Sequence, residues 1–184
     1  MNIKPEQLQN HLSNQPASLY FAFGSEILLV EQSLTTIKDA AKKLGFDERF
    51  RFDIDGNFSW DAIFNLISSP SLFADKRIIE CRLTTGKIGV KGSKALSELT
   101  ENLPDDIMLI ISSGKLDIAQ QKSKWFKALD KKGVIIQHWE VQSEQLVGWI
   151  VNHMSQLGLS SSNEVANAIA YCTEGNLLAT MQEL

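Results

Sequence analysis

Two hydrophobic rhythms alternate along the first 140 residues of the chain. Five short apolar runs, LYFAF (19–23), RFDI (51–54), RIIECRL (77–83), IMLIIS (107–112) and VIIQHW (134–139), are separated by longer stretches whose apolar residues recur every three or four positions. Three of the runs are nearly continuous in apolar residues, as expected for strands covered on both faces of a parallel sheet. Between the first two runs, EILLVEQSLTTIKDAAKKLG (26–45) places Ile27, Val30, Leu34, Ile37 and Ala41 on one helical face, with Gly45 as its stop. SWDAIFNLISS (59–69) predicts a helix capped by Ser59 and ending before Pro70. SKALSELTENL (93–103) and AQQKSKWFKALDKKG (119–133) complete the set. This alternation predicts an α/β fold with a five-stranded, mostly parallel sheet and helical crossovers.

After residue 140 the strand signal disappears. SEQLVGWIVNHMSQLG (143–158) has Ser143 as its cap, Gly158 as its stop and Leu146, Trp149, Ile150 and Met154 on one face. SSNEVANAIAYC (161–172) and NLLATMQEL (176–184) follow, the last halting in mid-pattern, which predicts a chain that continues. Charge changes at the same place. From Glu140 to Leu184 there are five acidic residues and no Lys or Arg, whereas the preceding 139 residues carry 18 basic and 17 acidic ones. The shift predicts two domains, 1–140 and 141–184.

Composition removes several function classes. With 184 residues and 43% hydrophobic content the chain can build one substantial core and a small second unit. Its net charge of −4 is unlike that of a dedicated nucleic-acid binder. Cys81 and Cys172 lie far apart within apolar patterns and read as thiols of a reducing compartment. The start MNIKPEQLQN is polar and lacks the apolar core of a signal peptide, and no apolar run approaches the ~20 residues of a membrane helix. The expectation is a cytoplasmic protein with no membrane partner.

Candidate chemistry is sparse. The first strand–turn–helix, YFAFGSEILLVEQ (20–32), stands where many α/β proteins carry a phosphate loop, but it has the single Gly24 followed by Ser25 and Glu26. A phosphate loop needs several glycines, a Lys and a hydroxyl, and Glu26 puts the wrong charge at the helix start. TTGKIGVKGSKA (84–95) is glycine-rich and basic without the spacing of a phosphate loop, and reads as a flexible loop. Its Lys87, Lys91 and Lys94 are candidate contacts for DNA or a partner. His11, His138 and His153 have no metal-ligand spacing, Ser112 and Lys115 form no convincing catalytic pair, and SSGKLD (112–117) only weakly marks the sheet's C-terminal edge as a ligand site. No active site, metal or cofactor is expected.

One stretch remains unexplained by these classes. ISSPSLFADKRIIE (67–80) places Leu72 and Phe73 on a turn among Ser, Pro, Asp, Lys and Arg. On the residues alone a local core anchor and a plug for another protein are equally good readings. The order YFAFGSEILLVEQ, WDAIFNLISSPSLFADKRII, DDIMLIISSGKLDIAQQKSKWFKAL and YCTEGNLLA resembles, over nearly the whole chain, the delta subunits of the bacterial DNA polymerase III clamp loader. The Ser-Leu-Phe turn and the EGNLL segment (174–178) are its most specific parts.

That resemblance implies a RecA-like AAA+ domain that has lost its nucleotide site, then a helical lid, then a collar domain beyond Leu184. It implies a non-catalytic subunit of a DNA polymerase holoenzyme. Leu72 and Phe73, flanked by Ser71 and Ala74, would insert into the beta sliding clamp and open the ring for loading onto primed DNA. The partners implied are that clamp, the delta-prime and ATPase gamma/tau subunits reached mainly through the collar, and DNA in the assembled complex. Where ATPase relatives place an arginine beside the lid's Gly-Asn pair, this chain has Leu177 and Leu178. Pro70 departs from the helix-compatible residue expected there and predicts a stiffer turn. Two other readings stay open: a nucleotide-dependent α/β enzyme with an atypical phosphate site, and a general DNA-binding module using the basic loop and the lysines of 115–132.

Overall fold

The structure, a computed structural model, describes residues 1–69, 74–160 and 162–184. It divides into two compact units, Met1–His138 and Trp139–Leu184.

The first unit is a parallel sheet between two helical layers. Its strands are β1 (Asn2–Ile3), β2 (Leu19–Gly24), β3 (Glu48–Ile54), β4 (Arg77–Leu83), β5 (Ile107–Ser113) and β6 (Val134–His138). They lie in the order β1-β6-β2-β5-β4-β3, and every pairing is parallel. The sheet thus has six strands, one more than expected. The extra one, β1, is two residues long and pairs Asn2 with Ile135 and Ile3 with Ile136. Six residues of β2 and seven of β5 are buried throughout, which accounts for their continuous apolar runs.

Alternation along the strands feeds two separate cores. Phe21, Phe23, Ile79, Cys81, Leu109 and Ile111 face a layer formed by α3 (Asp61–Ser68), α4 (Gly89–Glu101) and α6 (Lys124–Lys132), where they meet Ile63, Leu96, Trp125 and Leu129. Tyr20, Ala22, Ile78, Met108, Ile110 and Ile136 face α1 (Leu8–Asn14) and α2 (Ile27–Lys43), meeting Leu8, Leu12, Leu34, Ile37 and Ala41. Each large apolar side chain so buried is worth about 1.5–3 kcal/mol.

Several boundaries differ from the expected ones. The stretch 119–133 forms two helices, α5 (Ile118–Gln121) and α6, because Ser123 caps α6 by accepting from the Phe126 amide. Helix α4 begins at Gly89, so Lys91 and Lys94 lie on a helix and only the first part of TTGKIGVKGSKA is loop. Ser59 does not cap α3: Trp60 takes that position, and the Ser59 hydroxyl turns to Asp61 at 3.4 Å.

The second unit contains α7 (Ser143–Gln156), α8 (Asn163–Thr173) and α9 (Leu177–Glu183). Ser143 is already helical, with Gln142 at the cap. Leu146, Ile150 and Met154 are buried on one face of α7, and Gly158, at φ +75°, follows its end. Glu174 and Gly175 both adopt left-handed backbone conformations, turning the chain from α8 into α9. Asn176 caps α9 through the Ala179 amide, and the buried Thr180 hydroxyl donates to Thr173 at 2.9 Å. No described helix is long and apolar enough to cross a membrane.

Candidate partner-binding site at the exit of helix α3

Helix α3 is mounted on the sheet by Ile63, which is fully buried, and by Trp60, whose ring meets Phe58 edge to face at 5.6 Å. Its last turn presents the carbonyl groups that no intrahelical amide can satisfy. The Arg77 guanidinium supplies donors for two of the carbonyls there, Nη1 reaching the Leu66 and Ser69 oxygens at 2.8 Å each. Nη2 donates to the Asp106 carboxylate at 3.1 Å, and the Arg77 amide donates to the Asp106 carbonyl at 2.8 Å. Immediately before it, the Lys76 ammonium donates to the Leu44 carbonyl at 3.0 Å and lies 5.3 Å from the centre of the Phe46 ring. The chain on either side of residues 70–73 is therefore fixed. Ala74 is half-buried. Pro70, whose effect on the turn was expected from the sequence, and Ser71, Leu72 and Phe73 lie outside the described residues.

Lys87, Lys91 and Lys94 are exposed but do not form one cluster. Lys87 and Lys94 line an open groove of 730 Å³ with Val90, Glu98, Lys124 and Trp125. Lys91 instead borders a separate cleft with Asn57, Phe58 and Asp61.

At the C-terminal edge of the sheet, Gly24 closes β2 and only Ser25 and Glu26 precede α2. A Cβ on Gly24 would stand 2.0 Å from the His138 carbonyl oxygen, so this glycine serves the close approach of β2 to β6. His138 shares a 3.0 Å hydrogen bond with the Ser33 hydroxyl, and burial lowers its pKa to about 4. A cleft of 390 Å³ opens nearby, lined by Asp53, Arg82, Ser112, Ser113 and Glu31. Its charges are mixed, and its strand–helix connection is two residues long, too short to wrap a phosphate chain.

Among the described residues no group of three or more His, Cys, Asp or Glu side chains could hold a metal. His11 packs edge-on to Tyr20, and His153 stacks on Trp149 at 5.1 Å. The thiol of Cys81 is pushed far up by burial and then by the adjacent Glu80 carboxylate. Leu177 is buried in the second unit and Leu178 is exposed. Sequence reasoning missed Arg77 and Glu80. Both are charges inside the apolar run RIIECRL, and that interruption was the available signal.

A family model described as "DNA polymerase III, delta subunit" matches residues 20–138. The DNA polymerase III subunit delta of Escherichia coli K12 is 33% identical over 184 residues, covering 100% of this chain and 54% of the relative. That of Haemophilus influenzae is 31% identical over 185 residues, covering 99% of this chain and 54% of its own length. The chain thus spans about half the length of the curated relatives it matches. Among solved structures, the Bacillus subtilis DNA clamp loader delta protein (YqeN) aligns with a TM-score of 0.71 at 16% identity, over 97% of this chain and 55% of that one. The Thermotoga maritima RuvB Holliday junction branch migration motor aligns with a TM-score of 0.59 at 12% identity, over 96% and 59%. The fold is accordingly an α/β domain of the RecA-like kind, followed in the chain by a small helical unit.

Proposed function

Because the chain belongs to the DNA polymerase III delta-subunit family, we propose that it is the part of a clamp-loader subunit that grips and opens the beta sliding clamp. Leu72 and Phe73 are the plug, with Ser71 and Ala74 beside it. The observation that carries this reading is the mounting of the turn: α3 is seated on the core through Ile63, and its end is tied by Arg77 to the start of β4. Two apolar anchors on a fixed support lose less entropy on binding than a free peptide does. A few such anchors dominate most interfaces.

A closed ring opens only if its ligand prefers the open form, and full reversal of a 1:99 equilibrium needs about 5.5 kcal/mol. Two buried anchors supply about 3–6 kcal/mol, and only the share realised in the open ring alone counts toward opening, so contacts from α3 contribute to opening as well as to grip. The chain works without nucleotide chemistry of its own; the two-residue connection after Gly24 and the pressed contact of Gly24 with His138 support this. It assembles with other clamp-loader subunits in the cytoplasm, and Lys87, Lys91 and Lys94 are available to DNA or to those subunits.

Purified sliding clamp tests the reading directly. The chain captures it, and Leu72→Ala with Phe73→Ala abolishes capture while circular dichroism stays unchanged. An unfolded double variant would assign the pair to the core. The chain speeds clamp release from circular DNA without ATP, whereas a peptide of residues 68–77 does not. Tight binding of ATP with magnesium by calorimetry would favour the enzyme reading, and salt-dependent binding of single-stranded DNA without clamp capture would favour the DNA module.

A further inference from the structure

Resting on that reading, we propose that Arg77 is a positioning residue that sets the presentation of the clamp-binding turn without touching the clamp. Arg77 is 4% exposed, and its Nε is buried with no hydrogen-bond partner among the described residues. Burying a guanidinium is costly, and an apolar residue of similar volume commonly gives equal or better stability. What an apolar residue cannot supply is the planar fork. One guanidinium joins three places: the Leu66 and Ser69 carbonyls at the end of α3, its own position at the start of β4, and Asp106 at the entry to β5. A lysine ammonium has no fork that holds these directions together.

A second tie doubles the brace. Lys76, the residue before β4, holds the same leg to the Leu44 carbonyl and the Phe46 ring just past the end of α2, while Arg77 ties it to α3. The excursion between Ser69 and Arg77 therefore has both ends pinned. Pinned ends raise the fraction of molecules whose turn is competent to bind, and the apparent dissociation constant scales inversely with that fraction.

The test compares one substitution in two contexts, with purified bacterial beta sliding clamp as the probe. In the 184-residue chain, Arg77→Gln is expected to weaken binding about tenfold and to speed amide exchange at residues 74–76 without raising exchange in β2 and β5. In a synthetic peptide of residues 68–77, which has no α3 to hold, the same change is expected to leave affinity untouched. Asp106→Asn, at a half-exposed carboxylate, shifts the chain in the same direction by less, and it decides the matter should Arg77→Gln not fold. Wild-type affinity in a folded Arg77→Gln or Asp106→Asn chain overturns the proposal. Equal weakening in chain and peptide also overturns it, because Arg77 would then contact the clamp. Loss of binding in Leu72→Ala with Phe73→Ala keeps the plug reading intact in either case, and its absence removes that reading independently of Arg77.

Discussion

Glu80 offers a prediction in which direction and asymmetry are both fixed by geometry. It lies within β4 on the α2 side of the sheet with its side chain 3% exposed, 2.6 Å from the Arg49 guanidinium and 3.7 Å from the Lys38 ammonium. Arg49 pairs with Ile78 in the β3–β4 register, which makes it the diagonal cross-strand neighbour of Glu80. Its side chain is 43% exposed, so the two charges differ in what happens when the other is removed. Arg49→Met strands a buried carboxylate with one cation at 3.7 Å, and such stranding costs about 3 kcal/mol or more. Glu80→Gln frees the half-exposed Arg49 to turn toward water and keeps a hydrogen-bonding amide beside Lys38, so about 1 kcal/mol is expected. The double variant should be more stable than Arg49→Met alone, since no carboxylate is left unpaired. Urea titration followed by tryptophan fluorescence measures this in a Trp139→Phe, Trp149→Phe background, where Trp60 and Trp125 report on the first unit's core. Equal costs for the two single variants, or the larger cost for Glu80→Gln, would refute the reasoning.

Gly24→Ala drives a methyl group into the His138 carbonyl; a loss of about 3 kcal/mol or insoluble protein is expected, and wild-type stability in urea would show that β2 and β6 can part without cost. Cys172 is exposed and Cys81 buried, so a thiol reagent should modify one cysteine of the native chain rapidly and the second only at the rate of unfolding. His138 is held neutral by burial, with its pKa lowered from 6.5 to about 4. Its contribution to stability is complete above pH 6.5 and is lost as the pH falls to about 4, because there the unfolded chain takes up a proton that the folded one refuses. The slope is about 1.4 kcal/mol per pH unit, and His138→Gln should remove that component from urea titrations across this window.

The strands at the sheet's centre were legible because two-sided burial leaves an unmistakable mark: β2, β4 and β5 read almost residue for residue. The edges were not. β1 is too short and polar to form a run, and it exists through its pairing with β6. In β3, Glu48, Arg49, Arg51 and Asp53 alternate with Phe50 and Phe52, so only its last four residues stood out from a run of charges. Caps failed where two polar residues competed, as at Gln142 and Ser143, since local propensity cannot say which one the tertiary structure leaves outside the helix. At the candidate site Leu72 and Phe73 stood out as apolar residues in a polar stretch of sequence, and they lie outside the described residues. Arg77 could not, because its partners Leu66, Ser69 and Asp106 are remote in sequence and two of them contribute only backbone oxygens.

The strand order has a bearing on how this protein is made. β6 is the last strand of the sheet to be synthesised, yet it sits between β1 and β2, the first two. A nascent chain lacking residue 134 onward has β1 without a neighbour and one whole edge of β2, among the most apolar strands in the molecule, unpaired. At roughly 5–20 residues per second a ribosome holds that state for on the order of ten seconds. Unpaired strand edges are templates for association with other chains. Vectorial synthesis therefore leaves this domain dependent, for its first moments, on chaperones or on dilution, and release of the final strand is the event that closes the sheet.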